Sequence, residues 1–348
     1  MKNLCYEWKL SDGYPKANGL KVFGTFVCGG GSTMGYKLAG FDHLGGVEID
    51  GKMAKIYRYN HHPKHFYHED IRRFNERDDI PEELYNLDIL DGSPPCTSFS
   101  LVGKREAGWG VERRYAEGSV RQTLDDLVYV YCDTIAKLRP KVAILENVPG
   151  LIAGRALGYA ISIYERLTSA GYDVQIFLLN AGTMGVPQSR ERLFYIARRR
   201  DLGFKPLSLS FTHDPIPFGR IVDRGCLTGP AKELWPSIKQ RLPLVVEGER
   251  NLAYADARLR NLNTYNAFFS TNVIYDSVVP PALTSSGSSV YLAEQRGFND
   301  TELKRMSSFP SDFDFLGYDA RYVCGMSVPP LMIANLSAEI ARQWFNIQ

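Results

Sequence analysis

Short apolar runs alternate with amphipathic stretches over about the first 200 residues of the chain. Brief apolar runs between turn residues are typical of buried strands, whereas apolar positions three and four apart are typical of helices. The predicted strands are KVFGTFVCG (21–29), LGGVEID (44–50), HEDI (68–71), NLDILDG (86–92), KVAILENV (141–148) and DVQIFLLNA (173–181). The predicted helices include STMGYKLAGF (32–41) with Ser32 or Thr33 as its N-cap, GKMAKIYRYN (51–60) and VRQTLDDLVYVYCDTIAKL (120–138). This alternation predicts an α/β fold, a doubly wound, mostly parallel sheet with helices on both faces.

The pattern changes after RRRD (198–201). The following stretches are rich in proline and show little helical periodicity, as in FTHDPIPFGRIVDRG (211–225). We therefore predict one large domain over 1–204, a smaller loop-rich domain over 205–279 and a return segment over 280–348. The last stretch, VPPLMIANLSAEIARQWF (328–345), predicts a C-terminal helix that begins at proline and completes the first domain.

Composition and charge narrow the range of functions and cellular settings that this protein can have. The chain has 348 residues and a net charge of +2, which argues against binding to DNA by bulk charge alone. Its six cysteines, at 5, 28, 96, 132, 226 and 324, form no C-x-x-C pair, so we expect no zinc or other metal site and a reducing, cytoplasmic setting. The N-terminus lacks the apolar core of a signal peptide, and we expect no membrane span and a monomer.

A glycine cluster follows the first predicted strand. Gly29, Gly30 and Gly31 precede a helix, and Glu48 lies nineteen residues after Gly29 at the end of the second strand. A strand, a glycine turn and a helix N-terminus followed by a carboxylate are typical of nucleotide sites. The spacing is neither G-x-G-x-x-G nor a P-loop, which favours an adenosine cofactor without a pyrophosphate. A turn that needs glycine only for its backbone is the alternative.

Four further motifs follow in order along the chain. GSPPCTSFS (92–100) places Cys96 after a rigid proline turn at the end of a strand, and ENV (146–148) places Glu146 at the end of another. QSRERLFYIARR (188–199) puts Gln188, Arg190 and Arg192 on alternating positions, which share one face of an extended strand. GMSVPP (325–330) begins the last helix. Each motif also has a purely structural alternative. In motif order these are a buried core thiol, a solvated glutamate, an edge strand that carries solvated charge and a simple helix start.

Together these motifs resemble those of the cytosine-5 DNA methyltransferases of the restriction-modification type, over about residues 22–200 and 280–340. FVCGGGSTMGYKLAGF is similar to the cofactor loop of that family. The chain departs from the family pattern at Gly24, Thr25, Cys28 and Met326. These departures affect the expected cofactor contacts and leave the implied catalytic residues unchanged. The resemblance implies a Rossmann-like class I methyltransferase fold with 205–279 as the target-recognition domain.

The resemblance implies methyl transfer from S-adenosylmethionine to C5 of a cytosine flipped out of double-stranded DNA, through a covalent adduct of Cys96 to C6. The implied catalytic residues are Cys96, Glu146, Asn147, Arg190 and Arg192. The implied cofactor contacts are Phe26, Gly29, Gly30, Gly31, Glu48, Asp70, Pro94, Ser327 and Val328. The expected DNA contacts are Ser100, Lys104, Arg105 and Gln188, the first three in a loop expected to close over DNA.

Three other functions remain open at this stage. A tRNA cytosine-5 methyltransferase shares the catalytic set but usually carries a Cys-Phe-Thr tripeptide, which this sequence lacks. A catalytically idle DNA-binding repressor on the same fold has no chemical reason to retain Cys96, Glu146 and Arg190. A nicotinamide oxidoreductase is disfavoured by the glycine spacing. Pairing with a restriction endonuclease is a further expectation.

Overall fold

A computed structural model describes residues 5–95, 113–114, 121–122, 126–264 and 270–347, with 113–114, 121–122 and 155 described by their backbone alone. The chain divides into two compact units. The sheet unit comprises Gly13–Asn180, Glu191–Phe211 and Met332–Gln348, and the loop-rich unit comprises Met1–Asp12, Ala181–Arg190 and Thr212–Leu331. The C-terminal helix from Met332 thus belongs to the sheet unit, and 280–331 belongs to the loop-rich unit. The predicted functional boundaries at 204/205 and 279/280 stay predictions.

The sheet unit is built on seven strands: β1 Lys21–Thr25, β2 Asp42–Val47, β3 His65–Tyr67, β4 Ile89–Gly92, β7 Val142–Asn147, β8 Tyr172–Asn180 and β9 Glu191–Arg199. Their order across the sheet is β3-β2-β1-β4-β7-β9-β8. A short antiparallel pair, β5 Arg113–Arg114 and β6 Arg121–Gln122, lies outside this sheet. Strand β9 runs antiparallel to both β7 and β8, whereas β1 to β4 and β7 pair in parallel. The predicted mostly parallel α/β sheet is confirmed.

Six helices accompany this sheet in the described part of the chain: α1 Gly31–Leu38, α2 Gly51–His61, α3 Ile71–Glu76, α4 Leu127–Leu138, α5 Leu157–Ser169 and, from its second turn onward, α10 Pro330–Trp344. The Asp50 side chain caps α2 by accepting hydrogen bonds from the amides of Lys52 and Met53, because an aspartate before a helix satisfies its first free N–H groups.

Three local predictions differ from the structure. HEDI is not a strand, because Asp70 accepts a hydrogen bond from the Arg72 amide and caps α3 instead. The N-cap of α1 is Gly30, with no side-chain hydrogen bond, rather than Ser32 or Thr33. Helix α4 begins at Leu127 rather than at Val120. At HEDI the Asp70 cap, and at α1 the left-handed conformation of Gly30, decide a boundary that hydrophobic periodicity leaves open.

The two faces of the central strands differ in chemistry. One face packs Phe23, Leu90, Leu145 and Leu193 into the main apolar core, together with Tyr131 of α4. The opposite face carries Asp91 and Glu146, because neighbouring residues of a strand point to opposite sides. Helix α4 also holds the apolar side together, since the Tyr131 hydroxyl donates to the carbonyl oxygens of Leu90 and Ile144.

The loop-rich unit contains short elements: α6 Pro236–Lys239, α7 Ala253–Leu259, β10 Asn272–Ile274, β11 Ser289–Tyr291, α8 Asp300–Met306 and α9 Ala320–Met326. A small apolar cluster forms its own core, with Leu234, Ile238, Leu252, Val273 and Val290 among its members. Inside this unit Arg241 pairs with the fully buried Asp256. The low content of long helices agrees with the proline-rich sequence.

One segment of the described residues, Ala320–Trp344, is long and apolar enough to cross a membrane by length and mean hydropathy, which is 1.3. This segment contains the break between α9 and α10, and 78% of its most apolar window is buried within the protein. The core helices of soluble proteins pass the same test, so the segment is weak evidence for a membrane span.

Candidate active site

The loop between β1 and α1 adopts left-handed backbone conformations. The φ angle is 56° at Phe26, 49° at Cys28 and 88° at Gly30. A Cβ atom at Gly30 would lie 2.0 Å from Nε2 of His61, so this position requires glycine for space as well as for conformation. In turn, Nε2 of the buried His61 lies 3.0 Å from the carbonyl oxygen of Gly29. The glycine cluster is thus a tight loop that ends at the first residue of α1.

Glu48 joins this loop to the end of β2. Its Oε2 accepts a hydrogen bond from the Cys28 amide and its Oε1 accepts one from the Asp50 amide, both at 2.8 Å. Burial raises the pKa of Glu48 to about 7, although hydrogen bonds from the amides of Asp50, Cys28 and Ile49 act in the opposite direction. A carboxylate offers about four acceptor positions, so these amides leave capacity for a further donor. The carboxyl group is therefore fixed at the carboxyl edge of the sheet with capacity for a ligand.

Phe26, Glu48 and Asp70 line a single small cleft of the sheet unit, together with Val47, Ile49, Glu69, Ile71 and Leu127. The structure brings these three predicted cofactor residues together from three separate segments. Asp70 reaches the cleft as the N-cap of α3, with its Oδ1 accepting a hydrogen bond from the Arg72 amide at 2.9 Å. The cleft combines an aromatic ring with two carboxyl groups, a set suited to an adenosine.

The end of β7 is tied to the proline turn after β4. Asn147 is buried, its Nδ2 lies 3.4 Å from the carbonyl oxygen of Pro94, and its Oδ1 accepts a hydrogen bond from the Val148 amide at 2.8 Å. This contact positions the turn that leads to Cys96. Cys96 itself lies outside the described residues, as do Ser100, Lys104 and Arg105.

Glu146 and Arg192 form an ion pair at the same edge, with Nε of Arg192 2.9 Å from Oε1 of Glu146. Glu146 is 8% exposed, and burial lowers the pKa of Arg192 while the carboxylate acts against that shift. In the antiparallel register Glu146 is opposite Phe194, so Arg192 lies two residues along β9 and points to the same face. A buried carboxylate with one cationic partner is well placed to exchange protons or hydrogen bonds with a ligand.

Arg190 and Gln188 precede β9 and belong to the loop-rich unit, so the predicted single strand face for Gln188, Arg190 and Arg192 does not form. The buried Arg190 donates through Nη1 to the Leu283 carbonyl oxygen at 2.7 Å and through Nη2 to that of Gly325 at 3.0 Å. The buried Gln188 amide donates to the carbonyl oxygen of Met306 and accepts from the Leu283 amide. Both side chains hold backbone segments of this unit, and their roles toward DNA stay predictions.

Ser327 and Val328 directly follow α9 in the loop-rich unit. Both are buried, and the Ser327 hydroxyl donates to the Val323 carbonyl oxygen at 2.8 Å. Met326, where the family usually has asparagine, is 48% exposed. The cofactor contacts expected of Ser327 and Val328 stay predictions.

Two contributors to the site escaped the sequence analysis. His61 supports the glycine loop, and burial lowers its pKa to about 3, so that the ring stays neutral. Asp91 lies on the Glu146 face of the sheet and accepts a hydrogen bond from the Tyr36 hydroxyl at 3.0 Å. Sequence shows an aspartate at the end of an apolar run, but it does not show which face the side chain takes or which group reaches it.

Comparison with known proteins gives a decisive match. The model of the C-5 cytosine-specific DNA methylases matches residues 20–225, which is more than half of the chain and contains the glycine loop, the Cys96 motif, Glu146 and Arg192. The chain belongs to this family. The family predicted from the four ordered motifs is thereby confirmed.

Curated relatives of the chain are type II methyltransferases. M.NgoPII of Neisseria gonorrhoeae is 33% identical over 188 residues, which cover 54% of this chain and 50% of that protein. M1.HphI of Haemophilus parahaemolyticus is 25% identical over 360 residues, covering 97% of this chain and 91% of that protein. The chain spans about half the length of the first relatives it matches, M.NgoPII among them.

Solved structures of methyltransferases share the fold of this chain. A mutant of DNMT2 from Spodoptera frugiperda superposes with a TM-score of 0.59 at 17% identity, over 92% of this chain and 99% of that one. At this identity the likeness shows the fold alone. It confirms the predicted class I methyltransferase architecture.

Proposed function

We propose that this protein transfers a methyl group to C5 of a cytosine in a specific sequence of double-stranded DNA. The observation that carries the proposal is the buried Glu146–Arg192 ion pair at the carboxyl edge of the sheet, beside the proline turn that leads to Cys96. Family membership supports the reaction class. A carboxyl group and a guanidinium side by side match the edge of cytosine, which presents an acceptor at N3, an amine at C4 and a carbonyl at C2.

S-adenosylmethionine is proposed to bind at the cleft of Phe26, Glu48 and Asp70, whose aromatic and carboxyl groups suit an adenosine. This placement is supported by the aromatic ring of Phe26 and the carboxyl groups of Glu48 and Asp70, which line one cleft, and by the remaining acceptor capacity of Glu48. In this proposal Glu48 accepts hydrogen bonds from the two ribose hydroxyls, Phe26 packs on the bound molecule and Asp70 accepts from the adenine amine. When bound, S-adenosylmethionine supplies an electrophilic methyl group. The proposal assigns no metal to the site.

Cys96 is the proposed nucleophile. Its thiolate adds to C6 of the flipped cytosine, a C–S bond forms, and the electrons of the C5–C6 double bond move toward N3, where Glu146 delivers a proton. C5 then has the electron density needed to accept the methyl group. Loss of the C5 proton to solvent then returns an electron pair to the ring, expels the Cys96 thiolate and restores the C5–C6 double bond, while N3 returns its proton to Glu146. A thiol titrates near 8.5, so a nearby cation such as Arg192 would assist its ionisation.

In this mechanism Arg192 donates a hydrogen bond to the C2 carbonyl of cytosine. When the base enters, Arg192 must therefore give up its ion pair with Glu146 or share its donors between the two. A protonated Glu146 no longer holds the guanidinium by charge, so the proton that serves N3 also frees Arg192 for the base. Asn147 positions both strand ends through Pro94. Within the loop-rich unit, Arg190 holds the segments at Leu283 and Gly325.

Recognition of DNA is assigned to two parts of the chain. We propose that Ser100, Lys104 and Arg105 contact phosphates, which position a protein without reading sequence, and that 205–279 reads base edges. Exchanging 205–279 for the matching region of a relative should then change which cytosines are methylated. We further propose a monomeric, cytoplasmic enzyme that acts beside a restriction endonuclease.

Substitution of Cys96 by serine tests the proposed function. Base-resolution sequencing of DNA from cells that express the wild type should show 5-methylcytosine in one sequence context, whereas Cys96→Ser should give none and retain affinity for S-adenosylhomocysteine. Cys5→Ser, a change at an exposed thiol, is the matched control and should methylate normally.

A covalent trap tests the mechanism itself. Duplexes carrying 5-fluorocytosine at the target should form a stable adduct with the wild type and with Cys5→Ser, but not with Cys96→Ser, because fluorine cannot leave C5 as a proton does. Methylation of normal DNA without a trapped adduct would contradict covalent catalysis. If the protein methylates tRNA and not DNA, its substrate is tRNA. If it methylates neither, the alternative of a catalytically idle DNA-binding protein is favoured.

A further inference from the structure

His61 is a buried histidine that the proposed chemistry does not use. It is the last residue of α2 and is 4% exposed, and the following residue, His62, ends the helix with a φ angle of 46°. The His61 ring packs against the ring of Tyr57, with 4.8 Å between the two centroids. Burial of an imidazole costs free energy unless its polar atoms are hydrogen-bonded, so the partners of His61 indicate its role.

His61 contacts helix α1 at both of its ends. At the N-terminal end, Nε2 of His61 lies 3.0 Å from the carbonyl oxygen of Gly29, the residue before the N-cap Gly30. At the C-terminal end, the Lys37 ammonium group donates to the carbonyl oxygen of His61 at 3.2 Å. One residue of α2 therefore ties down both the start and the last turn of α1.

The contact with Gly29 defines which ring nitrogen carries the proton. Burial lowers the pKa of His61 to about 3, while the Gly29 hydrogen bond acts against that shift, so the ring is neutral at working pH. A carbonyl oxygen can only accept a hydrogen bond, and a neutral imidazole has a proton on one of its two nitrogens. The proton is therefore on Nε2, and Nδ1 carries none.

The glycine loop, residues 26–30, has a backbone conformation that needs support. The φ angle is 56° at Phe26 and 49° at Cys28, left-handed values that are unfavourable for residues with a side chain. The Cys28 amide donates to Glu48 at 2.8 Å, and the next residue, Gly29, is held by His61. Hydrogen bonds on two consecutive residues thus hold the loop in the conformation that places Phe26 in one cleft with Glu48.

We propose that His61 is a positioning residue that sets the affinity for S-adenosylmethionine by donating a hydrogen bond from Nε2 to the Gly29 carbonyl oxygen. The proposal rests on the proposed function, in which Phe26 and Glu48 hold the cofactor. Without this donor the loop spends part of its time in conformations that do not bind, and the apparent affinity falls by the fraction of competent molecules. His61 itself touches neither the cofactor nor the base in this proposal.

Two amide substitutions at His61 separate the hydrogen bond from the packing. The side-chain nitrogen of glutamine reaches about as far from the backbone as Nε2 of histidine, whereas that of asparagine reaches about as far as Nδ1. Calorimetry with S-adenosylhomocysteine should give a Kd raised about tenfold in His61→Asn, which lacks the donor, and a Kd within about threefold of the wild type in His61→Gln. During methylation of DNA, His61→Asn should raise KM for S-adenosylmethionine by more than it lowers kcat.

His43→Asn is the matched control, because His43 is a second buried histidine that contacts α1. Its Nε2 lies 3.3 Å from Oγ1 of Thr33, and burial lowers its pKa well below the usual range. This variant should lose stability and keep the wild-type Kd.

Two results in calorimetry would overturn the proposal and leave the proposed function intact. One is an unchanged Kd in His61→Asn, and the other is an equal loss of affinity in His61→Asn and His61→Gln. Absence of S-adenosylhomocysteine binding by the wild type would instead overturn the placement of the cofactor, and this proposal with it.

A second measurement needs neither cofactor nor DNA, and it does not require His61→Asn to fold. Nitrogen-15 NMR of the wild type, with the His61 signals assigned by their loss in His61→Gln, should show the proton on Nε2. The ring should not titrate between about pH 5.5 and pH 8, the range in which an exposed histidine changes charge. A proton on Nδ1, or a ring that titrates in this range, would overturn the proposal.

Discussion

Leu145 and Glu146 are neighbours in β7, yet they belong to different parts of the protein, and the same holds for Leu90 and Asp91 in β4. The leucines pack with Phe23 and Tyr131 in the main apolar core. The carboxyl groups face hydroxyl donors and the Arg192 guanidinium. The comparison shows that one strand can stabilise the fold with one face and supply chemistry with the other, although its sequence reads as a single apolar run.

Glu146→Gln gives the largest expected effect. The glutamine side chain would keep the shape and an acceptor for Arg192, but it cannot hold a transferable proton. The rate of methyl transfer should fall by about 10²- to 10⁴-fold, the usual contribution of general acid catalysis. Single-turnover methyl incorporation measures this rate, and Cys5→Ser supplies the control. A rate within about threefold of the wild type would remove Glu146 from the proposed chemistry.

Leu145→Ala makes the opposite change one residue earlier in the strand. Leu145 is fully buried, so its truncation leaves a cavity and should lower the free energy of unfolding by about 2–5 kcal/mol. Urea denaturation measures the loss. Under conditions in which this variant is folded, the alkaline limb of its pH profile for methyl transfer should stay at the wild-type position. A shifted limb in Leu145→Ala would show that the two faces are not separable.

Glu48→Ala gives a smaller effect on the polar edge. Loss of a buried acceptor for two ribose hydroxyls should weaken binding of S-adenosylhomocysteine by about 1–3 kcal/mol in calorimetry. Asp42→Ala is the control, because Asp42 is an exposed carboxylate at the other end of the same strand. Unchanged affinity in Glu48→Ala, or equal losses in both variants, would place the ribose elsewhere.

Much of the site could be predicted because its residues follow strands in a regular way. Apolar runs that end in Glu48 and Glu146 imply carboxylates at the edge of a parallel sheet. The prediction of a strand at HEDI was wrong because Asp70 caps a helix, and this local hydrogen bond competes with strand pairing. The predicted shared face of Gln188, Arg190 and Arg192 failed because β9 begins only at Glu191. Backbone carbonyls at Leu283 and Gly325, far away in sequence, hold Arg190.

The sequence alone determined the alternation of strands and helices, the order of the motifs and hence the family, because periodicity and motif spacing are local properties of the chain. Tertiary structure alone decided the pairing of Glu146 with Arg192, the support of the glycine loop by His61 and the shared face of Asp91 and Glu146. Each of these depends on strand register and on which helix covers a face. Contacts between segments far apart in the chain fix both, and no local pattern encodes them.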